Sequence, residues 1–490
     1  MKQRRSRRIQ GVAFAVLEVW LLHGAVTHAT TWHVTYDPEQ PEDRVGAVAA
    51  LAASGDSILI DPGTYYEHIP LEGKSLTFVG IGGPGATILD GSRTLPGRGG
   101  SIIYTLSGER ADLVLEGLTF RNGVGTPLEI DRITGGAILW WQGGMYYTSS
   151  LSAVDCVFEN NTAGDMENWW AEGGGAIYAG YLSTVYLERC SFSGNGTIGY
   201  GGDLEAITQQ TEIRQCDFQL NEVDAANSIY DHGTLTIVDC RFEANAQADW
   251  SQALSFWSGD VSILNSQFID HGRPLATRFD LGCSCVEPYP RQDVLISGNV
   301  FWNAAGPDSG TAATRTLSAI MPGGRYTVTG NTFVRCGPSL TGTEVQLQNN
   351  IVARAGVLLA ARNGDYSCND FWLSAVTGDL DGLTSSHNST ANPFFCDEAG
   401  GDFTLSEGSP CAPSEVCDLI GAEPMACDLD IHACCVGEEC VLATEGECGS
   451  LGGHWMIDPP LTSCEPDPCL TPARKTTWGA VKALFRGEAK

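Results

Sequence analysis

Near the end of its first third the chain reads Cys156-Val157-Phe158-Glu159-Asn160-Asn161, a pattern of cysteine, phenylalanine and asparagine that returns at regular intervals. Further copies begin at Cys190-Ser191-Phe192, Cys216-Asp217-Phe218 and Cys240-Arg241-Phe242. A motif that recurs at such spacing indicates a repeat architecture. Weaker copies extend the series on both sides, and successive phenylalanines lie 24 to 38 residues apart, at Phe120, Phe158, Phe192, Phe218, Phe242, Phe268, Phe301 and Phe333.

A second pattern travels with the first. It is a pair of glycines, or of other small residues, followed two positions later by isoleucine or leucine. Two independent patterns with one period indicate a true repeat rather than chance. The copies are Gly135-Gly136-Ala137-Ile138, Gly174-Gly175-Ala176-Ile177, Gly201-Gly202-Asp203-Leu204, Ala226-Asn227-Ser228-Ile229 and Ser251-Gln252-Ala253-Leu254.

The content of each unit indicates its architecture. Short alternating runs such as Thr184-Val185-Tyr186-Leu187 and Thr234-Leu235-Thr236-Ile237 are separated by Gly, Asn and Asp turns, without a helical pattern between them. Short strands with a period near 25 residues stack as coils of a parallel β-helix. Since residues two apart on a strand point the same way, the Cys and Phe columns should both face the core, with Asn at the following turn.

The N-terminal segment predicts a cap for this column of strands. Arg44 to Ala53 has apolar residues at helical spacing, and the strand Ile58-Leu59-Ile60 follows a Ser-Gly-Asp stop. A helix over the open end would cover unpaired strand edges. Leu76 to Gly80 and Ala86 to Gly91 should continue the coils as strands.

Three stretches carry a family resemblance. Gly55 to Glu67, with Thr87-Ile88-Leu89-Asp90-Gly91, resembles the first coils of the pectin-lyase-like right-handed β-helix superfamily. The paired repeat patterns resemble those of the polymorphic outer-membrane protein family, and Asn392-Pro393-Phe394-Phe395 resembles the closing coil of secreted bacterial β-helix proteins. The resemblance implies an all-β, right-handed parallel β-helix over residues 30–425. It leaves activity open, because the superfamily includes lyases, hydrolases and adhesins.

Charge and targeting signals predict where the protein works. The 490 residues include 28 Lys+Arg and 59 Asp+Glu, for a net charge of −31, which disfavours nucleic acid and anionic membranes as partners. Basic residues before Gly11, an apolar run to Leu22 and Thr27-His28-Ala29 predict a signal peptide over residues 1–29. Glu18 within the apolar run leaves a membrane-retained anchor as the alternative. We expect a secreted or cell-surface protein with no membrane span after signal removal, and the 18 cysteines agree with export.

A cysteine-rich module is predicted over residues 426–469. An even number of cysteines in an exported chain indicates disulfides, here three of open connectivity. Zinc is the poorer interpretation, because the segment has no CxxC pair. The six cysteines are Cys434, Cys435, Cys440, Cys448, Cys464 and Cys469.

The tail, residues 470–490, places Trp478, Val481, Leu484 and Phe485 on one helical face. A sorting signal, a docking helix and a helix packed on its own domain are all consistent with this pattern.

Titratable residues make a weak case for catalysis. Lys74 is the only lysine between residues 31 and 470, so cleavage of an acidic polysaccharide would need calcium to offset the negative charge. The usual paired-carboxylate motifs of polygalacturonases are absent. Asp231-His232 and Asp270-His271 follow predicted strands, but each dipeptide sits near a turn, where Asp and His are common. Calcium is the only cofactor left open.

Aromatic residues make a better case for binding. One ring per coil, about 4.8 Å apart with carboxylates between, would suit stacking on the sugars of a polysaccharide or cell-surface glycan. The alternative is that the rings form a small satellite core under the loops. The candidates lie in the long insertions and in the outward column after the isoleucine pattern: Trp140, Trp141, Tyr146, Tyr147, Trp169, Trp170, Tyr178, Glu205 and Tyr230.

Together these patterns favour a secreted or surface-attached β-helix that binds glycans or extracellular matrix without catalysis. A polysaccharide-degrading lyase or hydrolase is the alternative. For the four repeat cysteines we expect a stack of buried thiols, although disulfides 156–190 and 216–240 are also conceivable.

Overall fold

The computed structural model describes most of the chain after residue 28. The described residues are 29–93, 100–106, 110–129, 132–141, 149–164, 173–197, 199–219, 227–243, 252–256, 259–269, 275–277, 293–302, 315–320, 324–429, 431–437, 439–455, 464 and 469. The predicted signal peptide and the tail 470–490 lie outside this part.

The chain winds into a parallel β-helix whose coils each contribute strands to up to three faces. Along each face, every strand pairs in parallel with the strands of the neighbouring coils. The first face consists of Thr31–Val34, Ser57–Ile60, Leu76–Gly80, Asp112–Glu116, Ser150–Val154, Thr234–Val238, Val261–Leu264, Asp293–Ser297, Arg325–Thr329 and Leu383–Ser386.

The second face follows the first after a sharp turn and forms an 11-stranded parallel sheet. Its strands are Gly63–Tyr66, Thr87–Asp90, Thr119–Arg121, Val157–Glu159, Ser191–Ser193, Asp217–Gln219, Arg241–Glu243, Gln267–Ile269, Val300–Trp302, Thr332–Val334 and Ile351–Ala353.

The third face completes each coil. Its strands are Ile69–Pro70, Ile103–Thr105, Ile138–Trp141, Asn227–Asp231, Gln252–Phe256, Leu275–Thr277, Arg315–Ile320 and Ala375–Asp379. Four long strands run through both the third and the first face and join them in one 22-stranded sheet. They are Ile177–Glu188, Leu204–Arg214, Gly337–Gln348 and Gly356–Ser367.

The repeat phenylalanines form one stack through the interior. Their rings are fully or almost fully buried, and neighbouring rings are near-parallel with centroids 4.6 to 5.1 Å apart. This distance matches the spacing of paired strands, because each coil contributes one ring. The predicted Phe column is confirmed from Phe120 to Phe333.

The turn between the first and second faces is almost the same in every coil from Asp112–Glu116 onward. It contains one residue in the left-handed region, with φ between 50° and 69°. Glycine adopts this conformation without strain, and Asn and Asp adopt it more readily than most other residues. The residues are Gly117, Asp155, Arg189, Gln215, Asp239, Asn265, Gly298, Gly330, Asn349, Cys368 and His387.

From Cys156 onward, the next residue in each turn points inward and forms a ladder along the column. The sulfur of Cys216 accepts the N–H of Cys190 at 3.4 Å, and the Ser266 hydroxyl accepts the N–H of Cys240 at 3.0 Å. The cysteines of the ladder are buried free thiols, as expected. Its members are Cys156, Cys190, Cys216, Cys240, Ser266, Asn299, Asn331, Asn350, Asn369 and Asn388.

The asparagine that follows the phenylalanine occupies the next turn, as predicted. Asn161 accepts the N–H of Gly123 through Oδ1 and donates from Nδ2 to the carbonyl of Phe120, both at 3.0 Å. Asn195 repeats the arrangement one coil later. The predicted counterparts Asn221 and Asn245 lie outside the described residues.

A helix, Arg44–Leu51, packs at the N-terminal end, and its Val45 and Ala49 are buried in the interior core. The Glu67 carboxylate accepts the N–H groups of Val45 at 2.8 Å and Gly46 at 3.0 Å. It thereby satisfies donors that a helix start leaves without partners. Burial raises the pKa of Glu67 to about 7. The predicted capping helix is confirmed.

After the last coil the chain turns back along the outer surface of the second face. The strands of this return segment are Phe395–Asp397, Asp402–Ser406 and Met425–Cys427. Its Phe403 and Leu405 form a second apolar core with Val300 and Val334 of the second face. Disulfides Cys368–Cys417 and Cys396–Cys427 hold the segment in place.

The cysteine-rich module contains strands His432–Val436, Glu439–Ala443 and His454–Trp455 and a short helix, Glu445–Ser450. The predicted three disulfides are confirmed, and the structure gives their pairing as Cys434–Cys448, Cys435–Cys469 and Cys440–Cys464. Two small pairs of strands lie beside the coils: Thr126–Glu129 with Arg132–Thr134, and Thr162–Ala163 with Gly196–Thr197. Within the described part of the chain, no helix has the length and apolarity to cross a bilayer.

Candidate functional site

The third face carries a row of polar and aromatic side chains on its outer side. Ile177, Leu204 and Ile229 point into the core, so the residues that follow them point outward. Those residues are Tyr178, Glu205 and Tyr230, which pair in register on three consecutive coils. We call these three residues the outer tyrosine row.

Further side chains pack against this row. The Tyr200 ring stacks on Tyr230 with centroids 4.5 Å apart, and the His232 imidazole meets Tyr230 edge-on at 4.8 Å. Tyr200 immediately precedes a Gly-Gly pair of the second repeat pattern. The repeat patterns alone do not identify Tyr200, and His232 is predicted only as part of the dipeptide Asp231-His232.

Two glycines allow the row to pack closely. A Cβ on Gly173 would lie 1.3 Å from Oε2 of Glu205, so this carboxylate rests directly on the backbone. A Cβ on Gly180 would lie 2.7 Å from both Trp141 Cδ1 and Tyr178 Cε1. Trp141 therefore belongs to the same outer layer as Tyr178.

The row is covered, which corrects the expectation of an open platform. Tyr178, Glu205 and Tyr230 are 1%, 4% and 3% exposed. They point outward as predicted, but the Tyr200 ring occupies the face of Tyr230. The packing of these three side chains resembles the satellite-core alternative, while sugar binding by them stays a prediction.

The two neighbouring tryptophans have different positions. Trp140 is 1% exposed and belongs to the interior core, so it is corrected from a platform residue to a core residue. Trp141 is half-buried on the outer side. The reason is the alternation of the strand Ile138–Trp141, which sends adjacent side chains to opposite faces. The remaining candidates Tyr146, Tyr147, Trp169 and Trp170 lie outside the described residues.

Asp231 and His232 also separate. The Asp231 carboxylate points inward and is fully buried, where it accepts the Thr211 hydroxyl at 2.5 Å and the N–H of Gly233 at 2.7 Å. Burial raises the pKa of Asp231 to about 6. Burial lowers the pKa of His232, which favours a neutral imidazole. The two side chains therefore do not form a catalytic pair, and Asp270-His271 lies outside the described residues.

The structure offers little support for a metal at this site. In the described ranges, no group of three or more His, Cys, Asp or Glu side chains could hold an ion. Lys74 donates to the carbonyls of Ala49 at 3.1 Å and Ala50 at 2.8 Å, next to the end of the N-terminal helix. Its ammonium therefore has a structural role, and calcium stays an untested prediction.

Comparison with known proteins supports the fold. The family model described as right handed beta helix region matches residues 108–272. No curated protein matches the chain. The predicted right-handed parallel β-helix is confirmed, whereas the resemblance to polymorphic outer-membrane proteins is not confirmed by these comparisons.

Three solved structures illustrate the likeness. The catalytic unit of a thermostable GH87 alpha-1,3-glucanase from Streptomyces thermodiastaticus strain HF3-3 is 14% identical, with a TM-score of 0.41 over 73% of this chain and 68% of the other. Pectate lyase Pel9A is 15% identical, with a TM-score of 0.39 over 82% and 98%. The PL6 family alginate lyase AlyGC is 13% identical, with a TM-score of 0.41 over 91% and 60%. At these values the likenesses carry no argument about activity.

The disulfides indicate an extracellular environment. Five disulfides lie in the described residues. Such bonds persist in oxidising compartments and are rare in the cytosol. The signal peptide itself stays a prediction, because its residues are not described.

Proposed function

We propose that this protein is secreted and binds polysaccharide outside the cell through the outer tyrosine row, without cleaving it. The observation that supports this most is the register of Tyr178, Glu205 and Tyr230 on three consecutive coils. Tyrosine rings offer flat apolar faces to sugar rings, and a carboxylate accepts hydrogen bonds from hydroxyl groups. Trp141 enlarges the aromatic surface beside Tyr178.

The burial of the row affects how the ligand would bind. Tyr178 and Tyr230 are almost fully buried, so a glycan reaches their rings only when the side chains that pack over them move aside. Association that requires a conformational change is slower than docking to an open surface. We therefore expect slow association of the glycan with the row. Several coils of this face can contact one extended polysaccharide chain.

Charge favours a neutral glycan. Removal of the predicted signal leaves 23 basic and 58 acidic residues, and the row itself contains Glu205. A polyuronate would meet repulsion both at a distance and at the site. Neutral polysaccharides do not have this disadvantage.

Polysaccharide cleavage is the second candidate. The buried Glu205, whose strand lies between those of Tyr178 and Tyr230, and the His232 imidazole, which meets Tyr230 edge-on, are residue types that general acid–base catalysis uses. Glycoside hydrolysis, however, normally needs a second carboxyl across the scissile bond. The acids nearest in sequence do not provide it, because the buried Asp203 accepts a hydrogen bond from Asn195 at 3.0 Å and Asp231 points into the core. We therefore propose binding and keep cleavage as the second candidate.

A binding and product assay tests both candidates. The full-length protein would be screened on immobilised neutral and acidic polysaccharides, with reducing ends and unsaturated products measured in parallel. Glu205→Gln and Tyr230→Phe would be compared with the control variant Tyr186→Phe. Tyr186 lies on the same strand as Tyr178 but on the first face, where its hydroxyl donates to Glu188 at 2.6 Å.

The outcomes separate the candidates. Retention of a neutral glycan without product, lost in Glu205→Gln but not in the control, would support binding. Product formation that disappears in Glu205→Gln would favour catalysis. The absence of any ligand or product across the panel would reject both.

A further inference from the structure

A separate pocket of about 390 Å³ lies on the outer surface of the second face, where the return segment crosses the coils. We call it the tryptophan pocket. It shares no residue with the outer tyrosine row. Its polar and aromatic lining consists of Arg241, Gln267, Trp302, Phe403, Asp402 and Glu423.

The Trp302 ring is held in a fixed orientation. The Phe403 ring meets it edge-on with centroids 5.5 Å apart. Gly401 also lies against the ring: at φ 81°, a Cβ there would be 2.7 Å from Cζ3 of Trp302. Ile269, which pairs with Trp302 on the neighbouring coil, and Val300 are buried. A preorganised aromatic surface loses little entropy when a ligand stacks on it.

The indole N–H of Trp302 lacks an acceptor. Nε1 is buried and has no hydrogen-bond partner among the residues that the structure describes. A buried donor without a partner is costly, and indole nitrogen can only donate. An oxygen supplied from outside, such as a hydroxyl, would satisfy it.

The rim of the pocket is acidic. Arg241 donates to Glu243 at 2.9 Å and to Gln267 at 3.1 Å, so its charge is already matched. Asp402 accepts the N–H of Thr404 at 3.0 Å, and burial, together with the charge of Asp402, raises the pKa of Glu423. Carboxylates there can accept hydrogen bonds from hydroxyls but would repel an acidic sugar.

We infer that the tryptophan pocket is a second glycan site, which takes one neutral hexosyl residue. The C–H groups of the sugar contact the part of Trp302 that lines the pocket, one hydroxyl accepts the indole N–H, and others donate to Asp402 or Glu423. The volume lies near the lower end of the ~300–1,000 Å³ usual for small-molecule sites, which suits one residue rather than a chain. The site is independent of the proposed function of the outer tyrosine row.

Binding of simple glycosides tests the inference. Methyl glucoside, galactoside and mannoside would be titrated by calorimetry, with methyl glucuronide and glucosamine as charged probes. Trp302→Phe keeps a ring but removes the N–H. Trp372→Phe is the matched control, because Trp372 lies in the same outward column as Trp302. Trp302 pairs with Val334, and Val334 pairs with Ala353 on the next coil. Asp370 forms a bridge with Ile351, which places residue 372 beside Ala353.

We expect at least one neutral glycoside to bind and Trp302→Phe to weaken it roughly five- to tenfold, the effect of one hydrogen bond. Trp372→Phe should bind like the wild type. In the wild type, the indole ¹H–¹⁵N signal that disappears in Trp302→Phe should shift on titration.

Four results would overturn the inference. The first three are no binding by any neutral glycoside, unchanged affinity in Trp302→Phe, and equal binding of the glucuronide. The fourth is preferred binding of glucosamine, which would indicate a site for a cationic sugar. Should Trp302→Phe fold poorly, Asp402→Asn and the indole shift in the wild type provide the test.

Discussion

The same turn is built with different chemistry in two parts of the solenoid. In the cysteine half, Cys156 to Cys240 fill the inward position, and in the asparagine half, Asn299 to Asn388 fill it, with Ser266 between them. In both halves a residue in the left-handed region comes before this position, and the side chain at this position accepts an N–H from the preceding coil. From Cys156 onward, this position therefore takes a side chain that accepts a hydrogen bond, rather than a particular residue.

The halves differ in how well this position is bonded. Asn350 accepts the N–H of Asn331 at 2.9 Å and donates to the carbonyls of Val328 at 2.9 Å and Gln348 at 2.8 Å. Cys216 has a 3.4 Å contact with the N–H of Cys190 and a 3.2 Å contact with the carbonyl of Arg214. Thiols are weak donors and acceptors, so the cysteine half relies more on packing.

The phenylalanine stack tests whether the halves share one core. We expect Phe218→Ala in the cysteine half and Phe333→Ala in the asparagine half each to lower the free energy of unfolding by about 3 to 5 kcal/mol, because each leaves a cavity between stacked rings. Urea denaturation measures both. A loss below 1 kcal/mol in either variant would show that the stack is not continuous in solution.

Asp231 gives the cysteine half a pH dependence. Its pKa is about 6 in the folded protein against an ordinary value of 3.8, so the folded state binds the proton more tightly. The contribution of Asp231 to stability should therefore fall as pH rises from about 4 to about 6, by about 3 kcal/mol in total, and stay level above. Urea midpoints across this range, compared with those of Asp231→Asn, measure the effect. A parallel decline in the variant would assign it to other groups.

The ladder of the asparagine half should be sensitive to truncation. Asn350→Ala leaves the N–H of Asn331 without its side-chain acceptor and removes one donor from the carbonyls of Val328 and Gln348, and we expect a loss of about 2 kcal/mol. Asn350→Asp is a useful companion, since it keeps the acceptor but removes the donor. Equal stability of wild type and Asn350→Ala would mean that water replaces the amide.

The cysteine half should tolerate a change at the same position. Cys216→Ser places a hydroxyl at the position that Ser266 holds in a later coil. The Ser266 hydroxyl accepts one N–H at 3.0 Å and donates to the Leu264 carbonyl at 2.9 Å. We expect a change within about 1 kcal/mol, because the lost thiol packing is offset by stronger hydrogen bonds. The same denaturation assay checks it, and a loss as large as that of Asn350→Ala would contradict the contrast between the halves.

Local periodicity was enough to predict the scaffold. The Cys and Phe columns, the N-terminal helix and the three disulfides of the cysteine-rich module follow from residue spacing, because alternation on a strand determines which side chains share a side. The same rule also places Trp140 with the inward Ile138, although the aromatic pair Trp140-Trp141 was interpreted as one surface. Past Cys240 the ladder continues with serine and asparagine, because other side chains that accept a hydrogen bond can take this position. A search for cysteine does not reveal this continuation.

Contacts between distant segments decided the rest. Spacing shows that Tyr178 and Tyr230 face outward, but not that other side chains cover them. The tryptophan pocket depends on Phe403 reaching Trp302, 101 residues earlier in the chain. Likewise, disulfide pairing is set by which cysteines the folded strands bring together. A repeat period specifies the side of a strand on which a residue lies, whereas what packs over that side depends on the path of the whole chain.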